Sequence, residues 1–401
     1  MYKSPQAILP KFLWKHIITC LTYADIVKLT MLDSQFNKLI DEDAGRSSFL
    51  QYRCTNIAIV KCDELRINYF WKYALDTYTS CDTIDEMLLY ITNDIACIDK
   101  FTYYKIFFKS GKYLFNNNKY VYHRCNTNPC SIEINGSKSE TTTFKYNGDL
   151  NIGRQVPHDI YHNTPMTIAI LVPKYLSIKY IRFYSLKCDL GKYGNDKCSY
   201  LTNAEFSYIY DYAEIHISNC AFDEYESCLF IRSINKSTIS NCQYTNLYTG
   251  IYICSYFYDI NIINKLKAIK SIDNIECNIS CSTFLMRSLP GYQAYVISCY
   301  KMTMDSKINF LNNIVLNTNI LIQQPYSHKT TDNNAKICIS NNKIYNVDNC
   351  LSYSNNVHLT DNYFNNIISL QDGCGNIMLD NSNMFDNCGK RCTDQIALLK
   401  N

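Results

Sequence analysis

The sequence predicts a mainly β chain: a parallel β-helix, a solenoid of about 20–23-residue rungs, preceded by a small three-helix unit at the N-terminus. Two blocks of internal repetition and one change of hydrophobic period carry that prediction. Near the C-terminus, Ile337-Cys-Ile-Ser-Asn-Asn-Lys-Ile344 aligns with Val357-His-Leu-Thr-Asp-Asn-Tyr-Phe364 and with Ile377-Met-Leu-Asp-Asn-Ser-Asn-Met384, an offset of 20 residues taken twice. Asn346-Val347 and Asn366-Ile367 repeat the same step. Earlier, Ile217-Ser-Asn-Cys220 recurs as Ile239-Ser-Asn-Cys242 and, in looser form, as Ile262-Ile-Asn-Lys265, at offsets of 22 and 23. Near Thr83 the spacing of apolar residues shifts from helical to alternating.

Taken in order, residues 9–40 read as three short helices. Leu9-Pro10 opens the first, since the fixed φ of proline suits a first helical turn and it needs no amide partner there. Leu13, Ile17 and Leu21 recur at i, i+4 and i+8 and form one apolar stripe. Thr22-x-x-Asp25 is a capping box for a second helix carrying Ile26, Leu29 and Leu32. Asp33 caps a third with Phe36, Leu39 and Ile40. So short a unit cannot bury all of these side chains internally, so part of its apolar face awaits a partner. Residues 46–82 follow as a helical connector, with Leu65, Phe70, Trp71, Ala74 and Leu75 able to line one face.

The β region is expected over residues 83–401. Thr83-x-x-Glu86 caps a short helix, and alternating strands begin at 103–108, 111–115, 119–123, 130–136 and 141–147. In a stack of rungs, equivalent side chains lie about 4.8 Å apart, so inward positions become ladders of Ile, Val, Leu and Cys. Asparagine suits the corners because it tolerates left-handed backbone and can hydrogen-bond along the stack. Residues 130–390 leave room for roughly 12 such rungs and a rod of about 55–60 Å.

Composition narrows the function. Thirty-nine basic and 36 acidic residues give a net charge of +3, which offers no footprint for nucleic acid or an anionic membrane. The apolar run at 167–172 stops at Pro173, far short of a membrane span, and no secretory signal core is expected. The 21 cysteines are therefore expected as reduced thiols. Cys125 to Cys130, Cys277 to Cys281 and Cys388 to Cys392 lack the C-x₂-C spacing that zinc favours, so neither metal nor cofactor is expected.

Two resemblances give these elements a function. Leu9-Pro10, Leu13, Ile17, Leu21, Asp25-Ile26, Leu29, Leu32 and Phe36 resemble an F-box, the motif that docks a Skp-type adaptor and through it a cullin ubiquitin ligase. Phe12 stands where an acidic residue is common, and Asp33 where a small residue or cysteine is usual. The resemblance implies an F-box over residues 1–45 and an adaptor contact made by Leu9, Pro10, Leu13, Ile17, Leu21, Ile26, Leu29 and Leu32. The order of capping helix, strand, Gly111-Lys112-Tyr113, strand and Ile134-Asn135-Gly136 is similar to the start of a right-handed parallel β-helix of the pectin-lyase type. An F-box joined to a β-helix resembles a class of F-box proteins whose β-helix binds the target.

That resemblance implies a substrate receptor of a Skp–cullin–F-box ligase, without catalytic residues of its own. Its target protein is unknown, and neither nucleic acid nor membrane is among its partners. The polygalacturonase-like motifs Asn-Thr-Asp, Asp-Asp, Gly-His-Gly and Arg-Ile-Lys do not occur. Asp361 and Asp380 fall at corner positions, and His216 and His358 face outward between inward residues, so no catalytic carboxylate pair is expected. The abundance of Asn, Ile, Lys and Tyr points to an AT-rich genome such as that of a large DNA virus, with the protein in the host cytoplasm or nucleus. The alternative is a carbohydrate-binding, structural or polysaccharide-degrading β-helix with a degenerate F-box.

Overall fold

Five-residue stretches such as Lys336–Ser340 alternate exposed and buried side chains, with Ile337 and Ile339 turned inward. That alternation makes a strand with one apolar face, and the chain repeats it many times. The computed structural model describes residues 54–63, 78–96, 102–115, 130–138, 141–146, 149–152, 166–170, 175–185, 200–205, 214–223, 227–232, 236–247, 249–254, 275–287, 293–300, 302, 305–324, 335–353, 356–373 and 376–400. Within them the chain is mainly β, built on a 12-stranded and a 14-stranded sheet with long parallel runs. The three expected F-box helices lie outside the described residues.

Each repeat visits three faces in turn. On the first face, Thr102–Phe108, Cys130–Asn135, Tyr175–Lys179, Glu214–Ser218, Lys236–Ser240, Glu276–Ser280, Lys307–Leu311, Lys336–Ser340, Val357–Thr360 and Ile377–Leu379 pair in parallel, each with the next. The second face runs from Gly111–Phe115 through Thr142–Tyr146, Ile181–Ser185, Ala221–Asp223, Gln243–Leu247 and Thr283–Met286. It continues into the ten-residue strands Ile314–Gln323, Lys343–Ser352 and Tyr363–Asp372, whose second halves supply the third face, and ends at Met384–Asp386. The third face begins with Tyr200–Glu205, Ser227–Arg232, Thr249–Cys254 and Tyr295–Tyr300. This repetitive, parallel arrangement fits a β-helix or solenoid.

The corners explain the asparagines. Tyr180, Asn219, Asn241, Cys281, Asn312, Asn341 and Asp361 follow the first-face strands with φ of 52 to 59°, the left-handed region that asparagine tolerates best. A second corner, where the long strands turn from the second face to the third, has Asn317, Asn346 and Asn366, each at 56°. Just inside the first corner, Asn313, Asn342, Asn362 and Asn383 form a buried amide ladder. Asn342 Nδ2 donates to Asn362 Oδ1 at 2.9 Å, and Asn362 Nδ2 to Asn383 Oδ1 at 2.9 Å. The same Oδ1 atoms accept from the backbone N–H of the preceding rung, and each Nδ2 also donates to a carbonyl there, such as Asn342 to Phe310 at 2.8 Å. Earlier rungs put Cys220 and Cys242 in this position, where the thiols donate to Ser218 and Ser240 carbonyls at 3.3 Å.

The interior is continuous. First-face ladders of isoleucine meet a second-face ladder of Phe144, Phe183, Phe222, Tyr244 and Phe284, with ring centroids 4.4 to 5.5 Å apart along the stack. At one end, α1 (Ile84–Ala96) packs Ile84, Met87 and Ile91 onto the core against Ile57–Asp63, Thr79–Cys81 and Gly111–Phe115. Its expected cap is present: Glu86 N–H donates to Thr83 Oγ1 at 3.2 Å and Asp82 N–H to Glu86 Oε2 at 2.8 Å. At the other end α2 (Lys390–Lys400) packs Cys392 and Ile396 inward, and Gln395 Oε1 accepts from Leu370 N–H at 2.8 Å and Gln371 N–H at 3.2 Å.

Four expectations are corrected. Among the described residues, nine first-face strands, not roughly 12, lie between Cys130 and Leu379, because successive paired strands are in several places separated by much more than 23 residues. Register advances by 44 residues from Ile132 to Leu176 and by 40 from Ser237 to Cys277. The rung after Ile239 is therefore Ile279-Ser-Cys-Ser282, not the stretch at Ile262. In the last repeat Phe364 pairs with Phe385 rather than Met384, since one extra residue enters the corner before Asn383. Inside the stretch read as a helical connector, Ile57–Asp63 and Thr79–Cys81 are strands, and Ile57–Asp63 runs antiparallel to Thr102–Phe108; the alternation Ile57, Ile59 lets it extend the sheet. The expected helical residues 65–75 lie outside the described residues.

Candidate functional site

The eight side chains assigned to adaptor binding, Leu9, Pro10, Leu13, Ile17, Leu21, Ile26, Leu29 and Leu32, all lie outside the described residues. What the structure offers for recognition is the outer side of its faces.

The carboxylates read as corner residues are corner residues. Asp361 has a φ of 54°, and Asp380 Oδ1 accepts from Ser382 N–H at 3.3 Å in a local turn. His216 and His358 sit on the outer side of the first face, as their alternation requires. His216 Nε2 lies 3.2 Å from Glu214 Oε2, its ring 5.1 Å from that of Tyr175, and His358 Nε2 lies 3.3 Å from Thr360 Oγ1.

A second cluster was not singled out in the sequence. Glu133 faces outward yet is buried, accepting from Tyr103 OH at 2.6 Å, with Lys105 Nζ at 3.5 Å and Lys179 Nζ at 3.3 Å. Burial alone would raise its pKa, but Lys105, the Tyr103 hydroxyl and Lys179 together hold it below the usual carboxylate range. A carboxylate so neutralised stays ionised and cannot donate a proton, so it is a structural ion-pair centre rather than a general acid. No local sequence signal joins these four residues, which come from three rungs at positions 103–105, 133 and 179.

The described cysteines form no disulfides with one another. Burial pushes Cys277 and Cys392 up to about 12, so both stay protonated and poorly nucleophilic near neutrality. Among the described residues no cluster of His, Cys, Asp and Glu could hold a metal ion, and no helix is long and apolar enough to cross a membrane.

The outer side of the second face, over its last four rungs, is the most distinctive surface. Two columns run along it in register: Ile314, Lys343, Tyr363 and Met384, and beside them Leu316, Tyr345, Asn365 and Asp386. The Tyr345 and Tyr363 rings meet edge to face at 5.7 Å. Tyr363 OH donates to Asp386 Oδ2 at 3.2 Å, and Asn365 Nδ2 donates to Tyr363 OH at 3.1 Å and Asp386 Oδ2 at 3.3 Å. Ile314 is 39% exposed and Met384 61%. Tyr345, Ile314, Leu316 and Met384 join Tyr363 on this surface only through the register. Compared with known proteins, this chain matches no family model, no curated protein and no solved structure.

Proposed function

We propose that this chain is the substrate-recognition subunit of a Skp–cullin–F-box ubiquitin ligase, and that its stacked strands form a right-handed parallel β-helix that holds the target. In this reading residues 1–45 dock a Skp-type adaptor, residues 83–401 bind the target protein, and ubiquitin transfer belongs to other subunits. The protein then acts in the cytoplasm or nucleus, and a viral origin would make the ligase that of a host. The observation that supports the reading is the spacing of Leu9, Pro10, Leu13, Ile17, Leu21, Ile26, Leu29 and Leu32 on the same chain as a long repetitive β stack. That short amphipathic unit needs an apolar partner, and an extended stack offers a long surface for a target.

The test is co-purification from eukaryotic cells. The intact protein should recover a Skp adaptor and a cullin. Leu21→Asp combined with Ile26→Asp places two carboxylates in an apolar contact, which costs several kcal/mol, and should abolish that recovery while the β stack still folds. Recovery that survives the double substitution would overturn the adaptor assignment. A second reading rests on the Tyr363, Asn365 and Asp386 cluster, because an aromatic ring beside amide and carboxylate groups also suits a sugar. There the protein is a non-catalytic carbohydrate-binding β-helix, and the F-box is degenerate. Retention on glycans without adaptor recovery would favour it.

A further inference from the structure

We infer that the outer side of the first face, over its last three rungs, holds a binding site for a soft monovalent metal ion, copper(I), formed by Cys338, His358 and Met378. The inference is independent of the receptor reading above and of the Tyr363 surface, which belongs to another face of the stack.

Register assembles the site. Cys338 pairs with His358 and His358 with Met378, so a thiol, an imidazole and a thioether stand in one column on three successive rungs. Their strand neighbours Ile337, Ile339, Val357 and Leu359 are buried in the core, which turns the three donors outward. Cys338 and His358 are half-buried, and Met378 is 58% exposed. Neighbouring Cα atoms in such a column lie about 4.8 Å apart, so roughly 10 Å separates Cys338 from Met378 across the histidine. The long, unbranched methionine side chain can lean over most of that distance, with the imidazole standing between the two sulfurs. Thr360 Oγ1 lies 3.3 Å from His358 Nε2, and in the tautomer where Nε2 carries the proton this bond leaves the Nδ1 lone pair for an ion. Metal-bound histidines make this kind of outer hydrogen bond, and it fixes the ring.

Donor softness selects the ion. A thiolate with a thioether favours copper(I), whereas magnesium and calcium require oxygen donors and zinc sites are completed by Cys, His or carboxylate. No carboxylate stands in the column: Asn309 precedes Cys338 in it, and Asp380, which follows the Met378 strand, accepts from Ser382 N–H at 3.3 Å in its own turn. Without the thioether only two donors remain, so the trio is not one of the His, Cys, Asp and Glu clusters that the described residues lack. Among the described residues, no other outward column of this face brings three sulfur or imidazole donors onto successive rungs. On binding, Cys338 releases its thiol proton to solvent as its sulfur bonds to the ion. Thiolate and Cu⁺ then leave no net charge, and the step consumes neither oxidant nor reductant.

The test uses the intact, reduced protein under argon with one equivalent of copper(I), supplied as its acetonitrile complex. Alkylation by iodoacetamide, read residue by residue by mass spectrometry, should slow at Cys338 by about fivefold or more. The exposed corner thiol of Cys281 should react as fast as before, which separates a built site from general thiol binding. Met378→Leu keeps the thiol and the imidazole but removes the third donor, and His358→Gln removes the nitrogen; each should abolish the protection of Cys338. Both side chains face outward, and circular dichroism and melting temperature establish that each variant is folded. Should both unfold, the contrast between Cys338 and Cys281 in the intact protein decides alone. Absence of protection at Cys338, equal protection at Cys281, or protection that survives either substitution in a folded variant overturns the inference.

Discussion

Asn342 shows how one residue type can hold a stack together. Its Oδ1 accepts from the Asn313 backbone at 2.8 Å and from Asn313 Nδ2 at 3.1 Å, while its Nδ2 donates to Phe310, Ser340 and Asn362. Asn342→Ala strips partners from several buried polar atoms at once and should cost about 2–3 kcal/mol in denaturant unfolding. Asn342→Ser should cost about half of that, because Ser282 fills the same ladder position and its Oγ accepts from Cys242 N–H at 3.1 Å. Glu133 makes a pH-dependent contribution. Its folded pKa lies below its unfolded value, so the stabilisation is complete above the ordinary carboxylate range and is lost as pH falls through the depressed folded value. Glu133→Gln should therefore destabilise by about 2 kcal/mol at pH 7, with Lys105 and Lys179 left uncompensated, and the gap should close as pH falls below about 4. Melting curves of both proteins across that range check the sign.

At the scale of elements, the two ends are the weak points of any stack, because unpaired strand edges invite association. The helix α1 covers one end and α2 the other, by different means. In α1 the contact is apolar, through Ile84, Met87 and Ile91. In α2 a single amide carries much of it: Gln395 Oε1 accepts from Leu370 and Gln371, and its Nε2 donates to the Gln371 carbonyl at 2.8 Å. Gln395→Ala should cost about 1–2 kcal/mol, since two backbone N–H groups lose their acceptor. Deleting residues 389–401 should do more than destabilise. It bares Cys350, Ile367 and Leu370 and the last edge, and light scattering should report concentration-dependent association.

At the scale of the whole molecule, each described repeat buries its apolar face against its neighbours, so stability accumulates along the stack. Removing residues 1–45 should leave the circular dichroism and melting temperature of the β stack nearly unchanged. Under the proposed receptor role, the truncated form in cells should still hold the target but no longer bring it to the ligase, so it should compete with the intact protein and raise the target's level. The intact protein should lower that level in a proteasome-dependent way. Equal and parallel effects of both forms would mean that the N-terminal unit contributes nothing to the outcome.

Much of this was legible from residues alone. Alternation assigned inward and outward sides, and the 20-residue spacing set the true register of Ile339, Leu359 and Leu379, which do pair in sequence. The Thr83–Glu86 cap, the corner role of Asp361 and the outward histidines were equally local, since each follows from neighbours within four residues. Rung length was not legible, because closing a longer loop costs only slowly more entropy as it grows, so an insertion leaves no periodic mark. The match of Ser237 with Cys277 therefore came from the structure, as did the extra residue that brings Phe385 under Phe364. The Glu133 cluster and the column of Ile314, Lys343, Tyr363 and Met384 are of that second kind. By itself the sequence determined which side of each strand meets water; only the stacking of rungs decided which distant side chains share a surface, because lateral neighbours on successive rungs lie 20 to 46 residues apart and no local pattern records which strand lies beside which.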